Sequence, residues 1–248
     1  MILSQNSTSL DKCGPHASAA TVQAAQAVPE VQAVEAARYA VLRRLAPCLR
    51  HQMVRPLQPI GLIYGVMYHK LGAAQPDVKS IRQEAEKINE FAKAAIDECM
   101  SMGAWLSPEP GVLISLEDGV MECVGLTATM LHFGGFRLIN EVEAMPVMVL
   151  RDAVRTVLSA VFFALTDSLT EPAALVIHAA AGSASTSEVT LSVQIVSSGE
   201  GKADRYEDGY RLLTWHDVQA LATAARVQLA RQGQLVTMRF ATGDSASN

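Results

Sequence analysis

Aromatic residues are scarce in this chain, 5% of 248 positions, and charged residues make up only 18%. Ala, Val, Leu and Met carry the apolar mass, which favours packed helices over a pure β-sandwich. A basic excess is also missing. Twenty Lys and Arg face 25 Asp and Glu, a formal net charge of −5. That argues against a general nucleic-acid binder, which presents a basic face. The four cysteines, at 13, 48, 99 and 123, contain no CxxC pair. Metal-ligand spacing is therefore absent, and a disulfide framework is not expected at this length. The thiols are expected to be reduced and mostly buried, in a cytoplasmic protein. No run reaches the ~18 apolar residues of a membrane span, so no membrane partner is expected. The opening "MILSQNSTSLDKCGPHASAA" lacks a basic segment followed by an apolar block. It reads as a polar, flexible tail over 1–28 and not as a signal peptide.

What is present is organised in two parts. Half the residues are hydrophobic, enough for a sizeable core. From Pro29 a helical pattern begins. Leu42, Ala46, Leu49, Met53, Leu57, Ile60, Tyr64, Met67 and Leu71 follow a 4-3 spacing, one helix face. "LGAAQPD" interrupts it. Ile81, Ala85, Ile88, Ala92, Ala95, Cys99 and Met102 then repeat the spacing. Two such helices predict an antiparallel hairpin over 29–106. One hairpin buries too little surface, so two copies are expected to pair into a four-helix bundle, a homodimer.

After "SPEPG" the character changes, and 107–242 predicts a mixture of strands and helices, with a short tail at 243–248. Strands are expected at "VLISL", "FRLINEV" and "QLVTMRFA". "AALVIHAAA" and "EVTLSVQIVSS" predict a β-hairpin. Helices are expected over 117–134, over "MVLRDAVRTVLSAVFFALTDSL", and from Thr214 to about Arg231, closed by Gly233. Thr214 and Asp217 have the spacing of a capping box. The fold class is α+β.

One local feature stands out. Pro56 and Pro59 lie inside the first helical pattern, just after His51. An interior proline costs a helix about 3 kcal/mol, because it removes a hydrogen bond and crowds the preceding turn. His51 is offset two residues from both Leu49 and Met53, roughly 200° round the helix. It therefore points away from the core face. Arg44, His51, Arg55 and Gln58 line up at helical spacing as a polar stripe. Imidazole is a nucleophile near neutral pH. Arg50 and Arg55 are placed to steady phosphate oxygens through charge-assisted hydrogen bonds. Pro56 is expected to bend the helix beyond the histidine and open it for a docking protein.

The box "HQMVRPL", the helix "LRDAVRTVLSAVFFAL" and the strand and loop "VQIVSSGEG" occur in that order. In this order and spacing they resemble the core of the sensor histidine kinases, over about residues 35–242. The resemblance implies a helical hairpin that carries a phosphoacceptor histidine at His51, followed by an α/β sandwich of the kinase ATPase type. It also identifies what is missing. The paired asparagines that help hold magnesium and phosphates fall at Ser159 and Phe163. Phenylalanine offers no oxygen to a hard cation. The adenine-reading aspartate falls at Ser197, although Gly199 and Gly201 keep the glycine positions. "YEDGYRLLTWHD" shows no second glycine box. The acid that follows the kinase histidine is Gln52, which cannot act as a base.

With these positions lost and His51 retained, the chain resembles the bacterial histidine phosphotransferases built from degenerate kinase cores. That implies a relay of phosphate between response-regulator receiver domains, without ATP. It implies no cofactor, with magnesium only on the partner receiver. The site would comprise His51, with Arg50, Gln52, Arg55 and Pro56 in support. The alternative is a non-catalytic scaffold that binds a receiver domain or a sensor kinase through the same bundle.

Overall fold

The computed structural model describes residues 19–107, 110–145, 147–182, 187–197, 203, 209 and 211–243. Helix α1 spans Ala19–Leu71 and α2 spans Val78–Leu106. They form the antiparallel hairpin. The Ala-rich segment ahead of Pro29 is also helical, as the high helix propensity of alanine allows. Asp77 caps α2, its carboxylate accepting from the backbone N–H groups of Lys79 and Ser80 at 3.1 and 3.2 Å. Across the turn, Lys70 donates to Ser80 at 2.7 Å and to Glu84 at 3.2 Å, tying the two helix ends together.

The second part contains β1 (Leu113–Ser115), α3 (Leu116–Phe133), β2 (Phe136–Asn140), β3 (Met148–Leu150) and α4 (Arg151–Ser168). It continues with β4 (Ala173–Ala181), β5 (Glu188–Ser197), α5 (Trp215–Ala224), β6 (Gln228–Gln232) and β7 (Leu235–Ala241). The main sheet has the order β2-β4-β5-β7-β6. β2 lies parallel to β4, and the other pairs are antiparallel. β1 and β3 form a small separate pair. Along β5, Val189, Leu191, Val193 and Ile195 are buried, the period of a strand with one face on a core. Helix α4 is buried along most of its length and packs against α3, α5 and α1. The fold is α+β, a helical hairpin followed by an α/β sandwich.

Two expected helices are shorter than their patterns. Residues 148–150 pair with β1 as a strand, so the apolar helix starts only at Arg151. The last helix ends at Ala224, where Arg226 takes a positive φ of 57°. Residues 228–232 turn back as β6, and Gly233, at φ 59°, sits in the tight turn into β7 and does not end a helix. Gln, Leu, Ala and Arg favour a helix intrinsically, but pairing with the apolar strand β7 overrides that preference. The Thr214–Asp217 capping box is present in both directions.

Helix α1 runs unbroken through Pro47, Pro56 and Pro59. The expected opening of the helix is not seen as an interruption. Proline still lacks an N–H, so the carbonyls of Gln52 and Arg55 receive no helical donor from Pro56 and Pro59. Among the described residues, no helix is long and apolar enough to cross a membrane.

Candidate phosphoacceptor site

Two faces of α1 diverge around His51. Leu45 and Leu49 are buried, and Cys48 turns inward, its Sγ 3.7 Å from Met130 Sδ on α3. Arg50, His51, Val54 and Arg55 are exposed. Gln52 is half-buried and Pro56 is buried, both on the inward side. The fold therefore presents Arg50, His51 and Arg55 together to solvent and turns Gln52 and Pro56 away. Arg55 is not a free cation. It pairs with Glu98 on α2 at 3.2 Å, across the hairpin. Residue spacing within one helix carries no signal of such a contact, because it depends on the register between helices.

The polar stripe stops short of Arg44. That residue is only 6% exposed, and its guanidinium donates to both carboxylate oxygens of Asp167 at 2.9 and 3.1 Å. The helix face is the same as that of His51, but the sandwich covers it at this height. Arg44 belongs to the junction between the two parts and not to an open surface.

On α4, Ser159 and Phe163 are both fully buried. The Phe163 ring lies under the Arg44 guanidinium, 5.0 Å from its centroid. Beside Ser159, burial pushes the Cys123 thiol up to about 12, which makes it a poor nucleophile. Ser197 ends β5 and is exposed. Gly199, Gly201 and residues 206–208 and 210 of the stretch searched for a second glycine box lie outside the described residues, while 211–217 lead into and begin α5. Among the described residues, no cluster of His, Cys, Asp and Glu is arranged to hold a metal ion.

A second polar group stands at the start of α4. Arg151 and Arg155 both grip Glu122 on α3, Arg155 at 2.8 Å, and Arg155 lies over the Trp105 ring at 4.5 Å. Burial raises the Glu122 carboxyl, but the two guanidiniums outweigh it and hold it below the ordinary carboxylate value. This group borders a cleft of ≈ 280 Å³ between α1, the end of α2 and α4.

Several solved structures align with the chain. One is the histidine kinase AdeS of Acinetobacter baumannii, at 14% identity, covering 77% of this chain and 97% of that one, with a TM-score of 0.39. Another is a bacterial phosphotransferase, at 12% identity, covering 81% of this chain and 95% of that one, with a TM-score of 0.34. A third is the histidine kinase ThkA in complex with the response regulator TrrA, at 15% identity, covering 84% of this chain and 64% of that one, with a TM-score of 0.38. No protein-family model and no curated protein matches the sequence.

Proposed function

We propose that the chain acts in two-component signalling as a histidine phosphotransferase, relaying a phosphoryl group between receiver domains through His51 without ATP. The observation that carries this reading is the contrast between two sites. His51 is exposed beside Arg50 on a long helix, while Ser159 and Phe163, at the positions matched to a nucleotide site, are sealed inside the core.

The chemistry asks little of this chain. A receiver aspartyl phosphate is an activated acyl phosphate, and magnesium on the receiver offsets the charge of its oxygens. A neutral imidazole nitrogen attacks phosphorus with its lone pair, and a P–N bond forms. The P–O bond to the aspartyl carboxylate breaks, and the carboxylate leaves with the electron pair. Reversal of these steps onto a second receiver completes the relay. The protein supplies an open approach and nearby positive charge, mainly from Arg50. Arg55 shares its charge with Glu98 and contributes less.

The working unit in this reading is a homodimer. Leu57, Tyr64, Tyr68 and Leu71 leave a largely exposed apolar stripe on α1 beyond the sandwich. A second copy of the hairpin would cover it.

The test is incubation with phosphorylated receiver domains. Label is expected on the wild type and to be absent from His51→Gln, which keeps size and polarity but not the nucleophile. Circular dichroism of the variant should be unchanged, because His51 is exposed. Binding of receivers by the wild type without transfer of label would favour the scaffold instead.

A further inference from the structure

Phe163 stands where the resemblance places a metal-holding asparagine. In this fold it serves a different purpose, because Arg44 of α1 lies on its ring. One turn along α4, Asp167 takes the same guanidinium through two hydrogen bonds. Its Oδ2 also accepts the backbone N–H of Leu213 at 2.8 Å. Three segments thus meet at one carboxylate: the hairpin, α4 and the chain leading into α5. The side chains of Arg44 and Asp167 are 6% and 7% exposed. Arg44 lies two helical turns ahead of His51, roughly 10 Å along the axis. One turn closer, the Cys48–Met130 contact adds a second link, to α3.

We propose that Arg44 is a positioning residue that locks the sandwich onto the phosphoacceptor helix, so that hairpin and sandwich move as one body. Deleting one partner of the buried pair strands the other charge in the interior, where Leu45 and Leu49 of α1 also pack. The ring of Phe163 fixes the plane of the guanidinium, which adds direction to the charge attraction. Held this way, the sandwich keeps one fixed position along the helix that carries His51. An incoming receiver meets one preformed surface instead of two independently moving parts. The joint rests on geometry alone, and its effect on transfer rests on the phosphotransferase reading.

Electron–electron resonance between spin labels at Lys93 on α2 and Gln234 beside β6, both exposed, reads the joint directly. The labels are attached through a ketone side chain, which spares the cysteines, and labelled chains are diluted with unlabelled protein. The wild type should give one narrow distance distribution. Arg44→Met can fail to fold because it strands Asp167. The double variant Arg44→Met/Asp167→Asn removes both charges and keeps an acceptor for Leu213, and it should give a broad distribution. In transfer assays it should raise KM about tenfold and leave kcat within about twofold, the signature of lost positioning. Arg44→Lys, which keeps the charge but not the planar group stacked on Phe163, should fall between. A broad wild-type distribution, or an unchanged narrow one in the double variant, overturns the joint. A fall in kcat at constant KM overturns the positioning role. Narrow wild type and broad variant with no transfer by either leaves the joint standing and removes the phosphotransferase reading.

Discussion

In the sandwich, α4 hides Phe162, Phe163 and Leu165 completely, whereas the far half of α1 leaves Leu57, Tyr64, Tyr68 and Leu71 exposed. On α2 the contrast continues, with Ala95 its buried residue and Ile96 and Met100 mostly in solvent. The sandwich buries most of its hydrophobic residues within one chain, though Phe133 and Met121 on α3 stay exposed. The hairpin carries a surplus. Monomers rarely leave a contiguous apolar face of this kind uncovered. One part of the molecule closes a core by folding, and the other leaves an apolar face that the proposed dimer would cover.

The sharpest way to break the first half of that contrast is Phe163→Ala. Emptying a fully buried phenylalanine position costs about 3–5 kcal/mol, read as a lowered urea midpoint. A smaller loss would mean that the core is not continuous across α4. For the hairpin, Tyr64→Lys is the matching probe. Tyr64 is 55% exposed in one chain, so the secondary structure should survive. The proposed dimer should weaken by about 2 kcal/mol or more, roughly thirtyfold in dissociation constant, followed by sedimentation. A wild type already monomeric at micromolar concentration would erase the difference between the two parts.

A gentler probe is the capping box of α5. Thr214→Ala should cost ~1 kcal/mol, in the range for a lost helix cap. Asp217 links that cost to pH. Burial raises its carboxyl, but hydrogen bonds from Thr214 and Arg211 outweigh burial and leave it below its ordinary value. Its contribution is therefore present above the unfolded-state value of ~3.9 and is lost as pH falls through the lower folded-state value. The stability gap between wild type and Asp217→Asn should accordingly close in acid. The smallest effect expected is none: titration with millimolar Mg-ATP should give no heat of binding. Micromolar affinity would mean that the sandwich is completed by nucleotide after all.

Several parts of this architecture were readable from periodicity. The 4-3 spacing of α1 and α2 marks the hairpin, and the alternation in β5 marks a half-buried strand. The exposure of His51 follows from its offset from Leu49 and Met53. Periodicity fails where one face has two neighbours. Arg44 and His51 share a helix face, but the sandwich covers only the height of Arg44. The ion pair from Arg55 to Glu98 depends on interhelical register, which residue spacing does not encode. β3 was hidden because "MVL" runs without a break into an apolar helix, and β6 because its residues favour a helix until β7 offers pairing.

One of the two outer strands of the main sheet, β6, bears on how the protein behaves when crowded. β6 is five residues long and mostly exposed, and it is polar apart from Leu229 and Ala230. Arg231 folds over the Trp215 ring at 5.4 Å, and Gln228 is engaged with Glu188 across the sheet at 3.1 Å. A sheet margin this short and this polar is a poor template for another chain's backbone. Strand-on-strand growth into aggregates is discouraged at this margin.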